Sequence, residues 1–415
     1  MRRIFTLVCV FFVIFSITVN AAYSGEKIYT SMERSFLWLD ENASPLGDTD
    51  SVAADYYVMA LSRANRAFDY GKYKKITESR TINTKYDAQR TIMANAACGG
   101  EFGEDFVGDN TYNCQYNTSM DIAGAVIAAE NSGYSINING RNTDTLMAQL
   151  LGNQLPDGSF DGNVLATAKS IIALSFCSGK RYSVKGKNKG ESYFYDVNTS
   201  ILRGVNYLQK AKDEDCGFGS ITDTAYVIMA LDCAGIDADN DAGFSDGTQS
   251  TLSWIMNRRN DDGSFGDHKD DTATAVCALV SHLRAMQGKE GFFELRSEDK
   301  LDNPSDYTGD INRSGEGFKK HSADSEIIEI DTSEDNILQD TDNVRVHQDA
   351  VEDKNSDNRT NDTKKSDKSK VVLIVSAGVL VLGAVSAAVF ITNYNRKKPM
   401  FKKHIGHSDD SDDDG

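Results

Sequence analysis

A tight glycine-aromatic loop followed by an almost uniformly apolar stretch recurs along this chain about every 50 residues. No other feature constrains the fold as much, because each unit of such an array must bury its apolar face against the next. Gln154 and Asp157-Gly158-Ser159-Phe160 precede Ala166-Thr167-Ala168, Asp215-Cys216-Gly217-Phe218-Gly219 precedes Asp223-Thr224-Ala225, and Asp262-Gly263-Ser264-Phe265-Gly266 precedes Asp271-Thr272-Ala273. A partial copy runs from Gly100-Glu101-Phe102-Gly103 to Asp121-Ile122-Ala123, and a fainter one begins at Asp50-Ser51-Val52-Ala53-Ala54.

Each copy places a helix of mixed polarity before the loop (146–154, 201–212, 251–258) and an apolar one after it (166–176, 224–233, 272–283). A helix apolar on every side must be buried on every side, so the second helix of each pair is the inner one. The alanines of the inner helices let neighbours approach closely. Residues 23–296 are thus expected to hold five or six helical hairpins in an open solenoid or a closed ring, an all-α domain.

The loops Asp157-Gly158-Ser159-Phe160 and Asp262-Gly263-Ser264-Phe265 resemble the Gln-x-x-Asp-Gly-Ser-aromatic repeat of squalene cyclases and protein prenyltransferase beta subunits. The resemblance covers most of 30–290 and implies an α/α toroid, in which inner helices surround a central cavity. In the cyclases an Asp-x-Asp-Asp-Thr-Ala segment supplies a general acid, which makes Asp270 and Asp271 the candidate catalytic pair here. His268 stands where the first acid of that motif would be, and Lys269 beside the pair favours ionisation over proton sharing. The prenyltransferases hold zinc with Asp, Cys and His. Cys277, His268 and an Asp could form such a set here, but Asp232-Cys233 lacks the family's spacing. Other toroids bind cobalamin or process polysaccharides, so the fold alone does not choose a chemistry.

The inner-helix starts share one end of such a ring. Asp50 and Asp223, with Tyr57 and Tyr226 further in, are the candidate ligand-binding residues, a mixture of carboxylates and aromatics that suits a sugar or a cation. The competing reading makes the acids helix caps and the tyrosines core. Asp237, Asp239 and Asp241 begin like a calcium loop, although Ala242 replaces the turn glycine and Thr248 the closing acid. Calcium is therefore a candidate cofactor only through a looser oxygen site. Six cysteines follow Cys9; Cys98 and Cys114 bracket an insertion and are the candidate disulfide, Cys216 and Cys233 form a second possible pair, and Cys177 and Cys277 read as buried thiols.

Outside the repeats, Arg2-Arg3, an apolar run from Ile4 to Val19 and Ala21-Ala22 read as a signal peptide over 1–22. Residues 297–370, rich in Asp, Asn and Ser, read as a disordered acidic stalk, with the short apolar patch Ile327–Ile330 within it either a short binding strand or, the favoured reading, noise. The uncharged run 371–392 is long enough to span a bilayer, and the cations after it place the tail 393–415 in the cytosol. The expected protein is a single-pass membrane protein with its toroid extracellular. A net charge of −18 argues against a nucleic-acid partner. The first functional reading is a tethered domain binding a small molecule, glycan or partner protein. The alternative is an enzyme using the acids at the inner-helix starts.

Overall fold

The computed structural model describes residues 23–47, 51–138, 140–185, 192–302 and 327–330. Within them lie twelve helices: α1 Gly25–Asn42, α2 Val52–Arg63, α3 Tyr70–Glu78, α4 Lys85–Ala97, α5 Glu104–Thr111, α6 Ser119–Glu130, α7 Thr143–Gly152, α8 Val164–Ser175, α9 Val197–Ala211, α10 Ile221–Cys233, α11 Thr251–Met256 and α12 Lys269–Met286. The even-numbered helices form a cycle of neighbours: α2 packs on α4, α4 on α6, α6 on α8, α8 on α10, α10 on α12, and α12 back on α2. The odd-numbered helices pack on the outside of that cycle, α9 on α8 and α1 on α12 among them.

Polarity patterns sort the two sets. In α9 the buried positions Val197, Ile201, Val205 and Leu208 form one stripe, whereas α12 is buried at every position from Thr272 to Met286. Inner helices start on short polar caps: Ser51, Thr84, Thr118, Asn163 and Ser220 each accept the backbone N–H three residues on. Ser51 is one of the caps expected from the repeat, whereas α10 and α12 begin at Ser220 and His268, about one turn before the expected Asp223-Thr224 and Asp271-Thr272. The repeat threonine does something else. The Oγ1 atoms of Thr167, Thr224 and Thr272 accept the backbone N–H of Phe160, Phe218 and Phe265 at 2.9, 3.1 and 2.9 Å. Each threonine therefore clamps its own glycine-aromatic loop to the inner helix. Phe160 and Phe265 are fully buried, which stabilises the fold by roughly 2–3 kcal/mol apiece.

The loop glycines are needed for two reasons at once. Gly158 has φ +94° and Gly263 φ +101°, and a Cβ on either would meet a backbone carbonyl oxygen of an outer helix: Arg203 at 2.2 Å or Arg34 at 2.5 Å. The last loop thereby closes the cycle onto the first helix. Ser35 Oγ donates to Gly263 O at 2.6 Å and Trp38 Nε1 to Asp262 Oδ2 at 3.2 Å.

The described part is mostly helical but not all-α. β1 Arg181–Lys185 and β2 Ser192–Asp196 form an antiparallel hairpin between α8 and α9, pairing Arg181 with Asp196. β3 Ile327–Ile330 joins β1 in parallel, so the sheet order is β2-β1-β3. The hairpin buries Tyr182, Ser183 and Val184 together between the exposed Arg181 and Lys185, a run too short to stand out beside the helical repeat pattern. Ile327–Ile330 is thus a strand on this same domain rather than noise, and Leu301 beyond the expected boundary is also buried. Among the described residues no helix is long and apolar enough to cross a membrane. The expected signal peptide, transmembrane run and tail lie outside the described residues.

Candidate functional site

The starts of the inner helices meet at one end of the cycle and are stitched to one another there. Asp270 Oδ1 on α12 accepts the Ala53 N–H of α2 at 3.0 Å, while Asp271 Oδ1 accepts the Thr222 hydroxyl of α10 at 3.0 Å. Asp161 accepts from Ser119 and Met120 at the start of α6. The candidate catalytic pair therefore turns to opposite neighbours and closes the ring. His268 is the exposed N-cap of α12 and makes no capping bond through its side chain. Cys277 lies more than two turns along the same helix, with its thiol on Tyr56 O at 3.3 Å, so it cannot share a zinc ion with His268.

A small pocket of about 40 Å³ opens at this end, between α2, α4, α6, α8 and α10. Its floor is the pair Tyr56 and Tyr226, whose hydroxyls meet at 2.5 Å across the ring, with Phe293 stacked on Tyr226. Tyr226 is where sequence reading put it. Tyr57 is not: it is buried the other way, donating to Asp40 Oδ1 at 2.5 Å and Phe36 O at 3.2 Å on α1. One residue is 100° of helix, and it is Tyr56 that faces inward. Asp223, in the first turn of α10, does not line the pocket; its carboxyl is raised by burial and held back by the Ser220 hydroxyl and the charge of Lys169. Asp50 lies outside the described residues.

Lys169 is the residue that sequence reading missed. Its ammonium sits 4.7 Å from the centre of the Tyr226 ring and 5.8 Å from that of Tyr86. Among the described residues no carboxylate lies within 4.0 Å of it. Burial lowers its pKa from 10.5 to about 8, against the pull of Asp121 and Asp223. The signal was present: Lys169 is the only charge in the apolar run 166–176. Helix α4 was missed as well, because no glycine-aromatic loop precedes it. It contributes Tyr86, Gln89 and Arg90 to the pocket. Arg90 and Arg80 both pair with Asp55, whose carboxylate is fully buried and also accepts the Tyr73 hydroxyl at 2.7 Å. Gly124 is small because a Cβ there would meet Gln89 Oε1 at 2.4 Å.

The opposite end is sealed. After α12 the chain folds back across it, and Phe292, Phe293 and Leu295 are buried. Arg63 donates to the carbonyls of Gly291 and Ser297 at 3.1 Å, and Arg284 to those of Glu290 and Asp299 at 3.0 and 2.7 Å. Burial lowers both guanidinium pKa values to about 10. Asn131 at the end of α6, across the ring, receives the strap through Phe293 O and Leu295 N.

The remaining candidates are dispersed. Asp237 Oδ1 accepts the N–H of Asp239 and Asn240, Asp241 Oδ1 that of Gly243, and Asp239 those of Tyr23 and the Ser250 hydroxyl. Asp237 and Asp241 thus serve their own loop while Asp239 ties it to Tyr23 and Ser250, and the described residues hold no group of three metal-ligating side chains. Cys98 and Cys114 are free thiols set against different apolar clusters, and burial raises the Cys98 pKa to about 12. Cys216 and Cys233 form no disulfide with each other either. No protein-family model matches the chain, and no curated protein is similar to it.

Proposed function

We propose that this chain is an α/α toroid of six hairpins, related to the squalene cyclase and prenyltransferase repeat, which binds a glycan at the mouth formed by its inner-helix starts. In this reading it is exported, and a transmembrane run at 371–392 tethers it to the cell surface. The strict alternation of outer and inner helices, together with the two Asp-Gly-Ser-Phe loops, supports the toroid. The observation that carries the functional reading is the half-open mouth pocket in which Lys169 lies among Tyr86, Tyr226, Asp121 and Gln89.

A pocket of about 40 Å³ has room for a water or two, or for one hydroxymethyl group. A polyprene or a corrinoid does not fit, because Tyr56, Tyr226 and Phe293 fill the lumen behind it. A sugar lying across the mouth needs no lumen. Tyr86, 43% exposed, offers a ring for stacking, and the lysine, carboxylates and amide offer donors and acceptors for hydroxyls.

The test is saccharide binding by the exported chain, measured on a glycan array and then by calorimetry. Lys169→Met together with Tyr86→Ala should reduce affinity at least tenfold with the fold intact. Unchanged affinity in that double variant, or no saccharide bound at millimolar concentration, sinks the proposal. An enzymatic reading has one observation in its favour: burial raises the Asp223 carboxyl and lowers the Lys169 ammonium, an acid and a base moved toward one another and near enough to feel each other's charge. Hydrolysis of a bound glycan, abolished by Asp223→Asn, would select it.

A further inference from the structure

Tyr23 directly follows the two alanines of the expected leader, and its surroundings are unusual for the start of a domain. Its backbone nitrogen donates to Asp239 Oδ2 at 2.6 Å, across 216 residues of chain. Its hydroxyl donates to Asn257 Oδ1 at 3.2 Å, and Lys27 lies over its ring at 4.1 Å from the centre. Ser24 then caps α1. The start of the described chain is docked onto the loop before α11 and the end of that helix.

Asp239 is only 9% exposed. Its second oxygen takes the hydroxyl of Ser250, the N-cap of α11. Among the described residues no lysine, arginine or histidine lies within ion-pair distance of it. A carboxylate withdrawn from water is costly unless a cation compensates it, and an amide N–H supplies only a dipole. The group that can supply the charge, in the place where the nitrogen already sits, is a free α-amino group on Tyr23.

We propose that hydrolysis of the Ala22–Tyr23 bond frees the Tyr23 α-ammonium as the counter-ion of Asp239, so that removal of the leader completes the fold. Water adds across the amide. Ala22 departs with the leader as a carboxylate, and Tyr23 keeps the nitrogen, which is protonated at neutral pH. Both Ala21 and Ala22 are small enough to precede a leader cut. The position of Asp239 selects the second, because after the first the nitrogen beside it would still be an amide. The inference rests on the leader reading and is independent of glycan binding at the mouth.

The full-length chain is made in a secreting host, and its mature N-terminus is read by sequencing and intact mass. Tyr23 as the first residue is expected; any other first residue overturns the assignment. Thermal unfolding then tests the pairing. Asp239→Asn keeps an acceptor and removes the charge. It should lower the Tm of the processed chain by roughly 5 °C or more. In a chain carrying Gly-Ser-Gly ahead of Tyr23, where the nitrogen is an amide, the same substitution should cost less than half as much. Equal losses in the two chains would overturn the proposed pairing.

Discussion

At one end of the inner ring Arg63 and Arg284 donate to backbone carbonyls of a strap that closes it; at the other Asp161 and Asp270 accept backbone N–H groups and a pocket stays open. The six inner helices run the same way, so one end collects unpaired N–H groups and the other unpaired carbonyls. Carboxylates belong at the first and guanidinium groups at the second, and the helix dipoles favour the same assignment. The contrast separates two kinds of burial. The guanidiniums at the closed end are fully buried and hold the strap through its carbonyls, with only Arg63 Nε left without a partner among the described residues. Lys169 at the open end is surrounded by aromatic rings and has no carboxylate bonded to it. Charge bonded to the backbone of a strap holds the fold together, and the proposed function gives the lysine without a bonded carboxylate to a ligand.

The closed end is the place to break that contrast hardest. Arg284→Met leaves the carbonyls of Glu290 and Asp299 without a donor and should cost about 3 kcal/mol or more, read from the denaturant midpoint. Phe293→Ala empties the lumen and should cost about 3 kcal/mol. Because Phe293 backs onto the mouth pocket, saccharide affinity should fall with it. Unchanged affinity would mean that the two ends are independent.

The repeat loops around the mouth sharpen the comparison. Gly263→Ala forces a Cβ to 2.5 Å from Arg34 O and should cost about 2–3 kcal/mol. Gly219 also has a positive φ, but a Cβ there meets nothing within 4 Å, so Gly219→Ala should cost only about 1 kcal/mol. Equal losses would show that backbone strain, not closure onto the outer helix, makes Gly263 necessary.

The one stabilising effect is expected at Lys169. Lys169→Met removes a partly desolvated cation and should raise stability at neutral pH, by at most about 3 kcal/mol. Its pH signature is more telling. The folded pKa is about 8 against 10.5 for the free side chain, so between these values the unfolded chain binds more protons and stability rises with pH. That rise should be present in the wild type and missing in the variant. A pH profile identical in the two would mean that the lysine is solvated and the pocket is not a partly dry site.

The residues of the mouth show how far pattern reading reaches. Asp223 and Tyr226 were singled out from the Asp-Thr-Ala repeat, and of the two Tyr226 lines the pocket, since repeat position fixes which end and which face of a helix a residue occupies. Tyr57 was a one-residue error in that same logic, and Tyr56 took its place. Asp270 and Asp271 were the candidate catalytic pair because two adjacent acids precede Thr272-Ala273 as in the cyclase motif. The ring directs one to α2 and the other to α10, so adjacency along the chain says little about shared chemistry. Arg90 and Asp55 went unnoticed because each is an ordinary charged residue until its partner on the next helix is known.

By itself the amino-acid sequence determined the grammar of this protein. Periodicity and glycine placement act within one or two turns of backbone, so they separate inner from outer helices and position the loops that join them. The tertiary structure alone decided what closes the ring, what fills it and what remains open. Gly263 meeting Arg34, Phe293 stacking on Tyr226 and Tyr23 reaching Asp239 are contacts between residues far apart in the chain. Such pairings are set by the joint fit of all six hairpins, and no local pattern carries them.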